Sequence, residues 1–155
     1  MGVLKKGYWG FVQGENFLGH FLLLIIRLYW GGLLVISGMG KWMHVHGVAD
    51  YMSSLHLPFP LATAYLVGAV EFFGGISLFI GLFSRVFAFL LAVLLFTAYA
   101  TAHKEAFTNI WTSPTAFIAQ APFLYLYASL VVLCFGPGMF SVDYWLEKRT
   151  YGASL

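Results

Sequence analysis

Four apolar runs separated by short polar interruptions organise this 155-residue chain. They extend roughly from Phe17 to Gly40, Leu61 to Phe83, Val86 to His103 and Ala121 to Phe135. A helix needs about 20 apolar residues to cross a bilayer, within a range of about 17–25. The first three runs reach that range. The fourth is short, which implies a start before Pro122 or a locally thinned bilayer. Gly136-Pro137-Gly138 is a strong breaker and closes it. Ser84 and Arg85 alone separate the second and third runs, so those helices are antiparallel neighbours. Between the first two runs, Lys41 to Gly47 is the most polar stretch, and a short surface-lying helix is expected over Ala49 to Leu55 before Leu57-Pro58-Phe59-Pro60. The third loop runs from Lys104 to Gln120. The pattern predicts an all-α, polytopic membrane four-helix bundle in one domain, without internal repeats.

Composition strengthens that reading. Hydrophobic residues are 61% of the chain and charged residues 9%, and mean hydropathy is +0.84. Soluble domains carry roughly a quarter charged residues, so the solvent for most of this surface is lipid. The net charge of +2 comes from dispersed basic residues, which excludes nucleic acid as a partner. Cys134 is the sole cysteine; no intrachain disulfide or CxxC site exists, and packing within a helix accounts for it. The first run follows Lys5 and Lys6, but it is long for a signal sequence and lacks an A-x-A cleavage pattern, so it is expected to be retained. Lysine and arginine counts set the orientation. Lys5, Lys6, Arg85, Lys148 and Arg149 fall on one side of four spans, and Lys41 and Lys104 on the other. Both termini are therefore expected in the cytoplasm, with Trp9, Trp42, Trp111 and Trp145 near helix ends as interfacial anchors.

Three segments carry a family resemblance. They are LYWGGLLVISGMGK (Leu28 to Lys41), YMSSLHLPFPLATAYLVGAVEFFGGISLFIGLFSR (Tyr51 to Arg85) and GPGMFSVD (Gly136 to Asp143). The arginine in the first helix, the glycine-then-lysine exit, the Leu-Pro pair, Glu-x-x-Gly-Gly and the Gly-Pro-Gly-x-x-Ser-x-Asp ending, in that order, resemble the DoxX family of small four-helix bacterial membrane proteins. The resemblance spans roughly Leu23 to Asp143. It implies a multi-pass inner-membrane subunit, in some members associated with redox complexes; a related subfamily contributes to thiosulfate:quinone oxidoreductase. It supports the fold further than it supports a reaction. His44-Val45-His46 is not part of the general family pattern.

The sharpest chemical signal is Arg27 and Glu71, ionisable residues within apolar runs. Such residues usually face the bundle interior in pairs. At about 1.5 Å per residue, Arg27 lies roughly 15 Å from the inner end of the first run and Glu71 roughly 18 Å from that of the second. An Arg27–Glu71 pair is expected, either as a bridge that fixes packing or as a polar centre that binds a head group or relays protons. Stripes of small residues (Gly31 and Gly38; Gly68 and Gly75; Gly74, Ser77 and Gly81) fit close helix approach or room for a flat ligand such as a quinone. Lys41, Tyr99 and His103 lie at the outer ends of their helices, where they either mark the interface or line the mouth of a ligand site. His44 and His46, if extended, point to one side; with His56 they suit zinc or copper, with Asp50 as an orienting carboxylate. The alternative is ordinary polar loop residues. Lys104-Glu105 reads as a solvated pair and Asp143 as a turn or cap. There is no P-loop, G-x-S-x-G or H-E-x-x-H motif. The leading expectation is a membrane subunit of a redox system that binds a quinone-like ligand between its helices. The alternatives are a membrane scaffold or assembly factor for a partner protein, and periplasmic copper or zinc handling; a partner protein or homo-oligomer is implied.

Overall fold

The computed structural model describes residues 2–151, with side chains from 17 to 150. These residues form eight helices and no strand: α1 Gly2–Met43, α2 Val45–Ser54, α3 Pro60–Ile80, α4 Ser84–Thr101, α5 Lys104–Thr108, α6 Pro114–Ile118, α7 Ala121–Phe135 and α8 Val142–Tyr151. Three are long and apolar enough to cross a membrane: α1 over Phe17–Met43, α3 and α4. The fourth apolar helix, α7, has 15 residues, about 22 Å of rise against a hydrocarbon core of roughly 30 Å.

Local chemistry explains where the helices stop. α3 opens with Pro60, whose missing N–H lies where no intrahelical acceptor exists. It ends at Ile80 rather than Phe83, because Gly81 turns left-handed (φ +81°) and the N–H groups of Gly81 and Leu82 both reach back to the Ser77 carbonyl. Phe83 is also left-handed (φ 51°) and precedes α4. Asp143 supplies what Phe83 cannot: its carboxylate accepts from the N–H groups of Phe83 (2.8 Å) and Ser84 (2.9 Å). The expected cap at Asp143 is thus real, but it caps a helix some sixty residues away.

Two expectations need correcting. α1 begins at Gly2, well before the apolar run, and continues to Met43. The chain is then not extended at His44–His46. His44 donates its N–H to the Gly40 carbonyl and Val48 donates to His44, so the backbone kinks from one helix directly into the next. His46 lies within α2.

α1 packs along α3, α3 on α4, α4 on α7, and α7 returns to α1. Leu34, Leu78, Leu91, Leu95 and Val132 form the main core. α2 seals one end, with Val45 and Ala49 clustered with Ala64 of α3. Gly31, Gly38, Gly68 and Gly75 form the α1–α3 seam, whereas Gly74 faces Leu91 of α4. A Cβ at Gly38 would meet the Phe72 nitrogen at 2.5 Å and the Gly68 oxygen at 2.7 Å, and one at Gly75 would meet the Val35 nitrogen at 2.7 Å. These glycines bring backbones into contact. Along this seam they leave no room for a flat ligand.

Candidate functional site

The glycine seam sets the register from which the site follows. Gly31 lies against Gly75, and Gly38 against Gly68, in antiparallel order. Arg27, four residues before Gly31, therefore falls level with Phe79. Glu71 lies eight residues away along α3, about 12 Å at 1.5 Å per residue.

Arg27 and Glu71 consequently do not pair. Arg27 is 1% exposed and donates to backbone carbonyls: Nε to Leu78 (2.8 Å), Nη1 to Pro137 (2.6 Å) and Phe140 (3.1 Å), and Nη2 to Phe79 (3.4 Å). Leu78 and Phe79 belong to the last turn of α3, whose carbonyls lack intrahelical donors and carry the negative end of the helix dipole. The guanidinium neutralises that end and ties it to the Gly136–Gly138 turn. Gly81 lies directly beneath, where a Cβ would strike the guanidinium and the Ser141 side chain. The depth comparison failed because it placed the inner end of the first helix at Phe17, whereas α1 continues beyond it.

Glu71 has other partners. Its Oε2 accepts from Lys41 Nζ at 2.5 Å and from Ser37 Oγ at 2.9 Å, and Lys41 also donates to Ser37 (2.8 Å). The Lys41 side chain is 27% exposed and that of Glu71 9%. Ser37 was missed in the sequence, although it stands four residues before Lys41 on one helix face. The cluster is not saturated. Lys41 has three N–H groups and uses two; Glu71 Oε1 accepts neither bond. Trp42 and Phe72, chain neighbours of Lys41 and Glu71, pack together at 5.1 Å, with the Trp42 indole N–H on the Tyr65 carbonyl (3.2 Å); farther along α1, Trp30 packs against Tyr125 (5.6 Å).

The remaining expected site residues separate. Tyr99 is fully buried, donates to the Phe117 carbonyl (2.9 Å) and stacks on Phe117 (4.4 Å), so it anchors the α5–α6 segment to α4. His103 precedes α5 and lines a polar cleft of about 510 Å³ with Lys104, Glu105, Asn109 and Gln120. Lys41 does not line that cleft and turns to Glu71 instead, so the two do not share a mouth. His44, His46, His56 and Asp50 are all exposed. Among the described residues no three His, Cys, Asp or Glu side chains are grouped to hold a metal ion. His44 Nδ1 faces the Gly40 carbonyl (3.1 Å), and His46 is carried away on α2.

A DoxX family model matches residues 22–104, just over half of the chain. The chain belongs to the DoxX family. It is 30% identical over 83 residues to "Putative oxidoreductase CatD" of Bacillus subtilis (strain 168), a match covering 54% of this chain and 60% of that protein. It is also 30% identical over 123 residues to "Inner membrane protein YphA" of Escherichia coli (strain K12), covering 79% of this chain and 88% of that one. No solved structure matches significantly. The DoxX match contains Arg27, Ser37, Lys41, Glu71, Tyr99 and His103, and ends before α7 and the Asp143 cap.

Proposed function

We propose that this chain is a four-span inner-membrane protein with cytoplasmic termini, serving as the membrane subunit of a redox system, and that Ser37, Lys41 and Glu71 bind the polar end of a quinone-like ligand. The observation that carries the reading is the unsaturated cluster: one ammonium N–H and one carboxylate oxygen without partners, between apolar helices. A quinone offers carbonyl acceptors to the first and, once reduced, a hydroxyl donor to the second. The Trp42 and Phe72 rings, chain neighbours of Lys41 and Glu71, provide flat apolar surface at the same level. The oxidoreductase name of the Bacillus relative agrees with this class. Within it, Lys41 would orient the ligand, and Glu71 would hold or accept a proton at Oε1. A quinone supplies two-electron redox chemistry when bound; the donor of those electrons lies with a partner subunit.

A second reading rests on a different observation. The expected polar pocket around Arg27 is closed by carbonyls and glycine contacts, as suits a packed scaffold that holds a partner protein. Native mass spectrometry of the full chain, extracted in mild detergent, separates the two. The redox reading expects a bound quinone that is lost in Lys41→Met and reduced in Glu71→Gln. A quinone retained equally in both variants, or no quinone but a stoichiometric second protein, defeats it and favours the scaffold.

A further inference from the structure

At the end of the bundle opposite Lys41, a second cleft of about 570 Å³ opens between α1, the start of α4, the Gly136–Gly138 turn and α8. Its volume is that of a small-molecule site, about 300–1,000 Å³. One wall is apolar and open to the surroundings: Phe83 is 65% exposed, Val86 58% and Phe135 74%. The other wall carries Arg85, Glu147, Asp143 and His20.

The charges in this wall are not equivalent. Both Asp143 oxygens are engaged by the first N–H groups of α4. Arg85 and Glu147, by contrast, have no ion-pair partner among the described residues. The Arg85 guanidinium lies over Gly136, where a Cβ would sit 3.1 Å from Nη2; a side chain there would push it from the cleft. At the deep end, His20 Nδ1 is shut off from solvent without a hydrogen bond, facing the α-carbon side of Gly138. One cation, one anion and an exposed apolar wall therefore meet at a helix end.

We infer that this cleft binds the headgroup of an aminophospholipid, a phosphodiester joined to a primary ammonium. The guanidinium fork matches phosphate oxygens. Glu147 receives the ammonium, which donates hydrogen bonds that a quaternary ammonium cannot. The acyl chains follow Phe83, Val86 and Phe135 into the bilayer. A purely anionic lipid would meet Arg85 but leave Glu147 facing its negative charge. This site is separate from the Ser37–Lys41–Glu71 cluster and does not depend on the redox reading.

The test uses the full chain, delipidated in mild detergent, with lipid binding read by native mass spectrometry. Phosphatidylethanolamine is compared with phosphatidylcholine, phosphatidylglycerol and soluble phosphoethanolamine. Phosphatidylethanolamine is expected to bind about tenfold more tightly than the other two lipids, the scale of one charge-assisted hydrogen bond. Arg85→Gln weakens all three lipids. Glu147→Gln removes the advantage over phosphatidylglycerol without reducing phosphatidylglycerol binding, a selectivity change that a merely structural role would not produce. Equal affinity for the three lipids, or a preference that survives Glu147→Gln, overturns the proposal. Soluble phosphoethanolamine binding as tightly as the lipid overturns a membrane lipid as the occupant.

Discussion

Arg27 satisfies carbonyls from two separate segments, so its removal strands acceptors at the α3 terminus and in the Gly136–Gly138 turn together. Each buried group left unsatisfied costs about 1–3 kcal/mol. Arg27→Met should therefore destabilise by at least about 3 kcal/mol, and Arg27→Lys should recover only part, because a point charge cannot serve a planar fork of acceptors. Two double-mutant cycles then distinguish the ionic partners. Arg27→Met with Glu71→Gln should be additive within about 0.5 kcal/mol, as for distant sites, whereas Lys41→Met with Glu71→Gln should show coupling of about 0.5–3 kcal/mol. Denaturant unfolding in detergent measures both, and strong coupling in the first cycle would restore the abandoned pair. At this scale the sequence marked two ionisable residues that are indeed buried and joined them wrongly. Charge alone suggested a carboxylate for Arg27; that its partners are carbonyls depends on where α3 ends, and Gly81 decides that through its left-handed turn. Ser37 and His20 carry no distinctive signal of their own, although the Ser37–Lys41 spacing could have exposed the first.

The α1–α3 seam is an element-scale property, and its glycines are not interchangeable with others on the same helix. Gly38→Ala places a Cβ against α3 backbone that cannot move aside, and Gly75→Ala does the same against α1. Both should force the helices apart, lowering thermal stability and displacing Lys41 from Glu71. Gly19 and Gly40 have nothing within 4 Å of a new Cβ, so alanine there should be neutral or stabilise α1 by roughly 0.5–1 kcal/mol through helix propensity. Melting temperatures of the four variants give the contrast; equal losses at Gly19 and Gly38 would show that the seam is not what holds α1 to α3. Asp143→Ala removes the acceptor for two N–H groups at the start of α4 and should cost about 0.5–2 kcal/mol, the range of a lost N-cap. The apolar runs made the four main helices legible, because long periods of apolar residues leave few alternatives to a helix in lipid. The cap by Asp143 was not legible in its true form. A carboxylate sixty residues from its helix leaves no local pattern.

For the molecule as a whole, orientation remains the largest consequence of charge distribution, and it can be tested independently of any ligand. The α3–α4 turn, the Gly136–Gly138 turn and the start of α8 meet at one end, held together by Asp143 and Arg27. That end carries Arg85, and α8 adds Lys148 and Arg149, with Arg149 over the Trp145 ring at 5.4 Å. The antiparallel seam puts the N-terminal half of α1 at the same end. Lys41 and Lys104 lie at the other, and Lys41 is matched by Glu71, so the imbalance in free basic charge is greater than the bare counts suggest. The positive-inside rule then predicts the Asp143 end in the cytoplasm and α2, α5 and α6 outside. A short α7 tests the same picture, because it must still return the chain across the bilayer for α8 to lie inside. Gly47 is exposed with open space at its Cβ, and Thr150 is exposed on α8, so a cysteine fits at either. In a chain with Cys134 replaced by alanine, a membrane-impermeant maleimide added to intact cells should label Gly47→Cys, and should label Thr150→Cys only after the membrane is opened. Labelling of both positions in intact cells would mean that α7 does not cross, and labelling of Thr150→Cys alone would invert the protein.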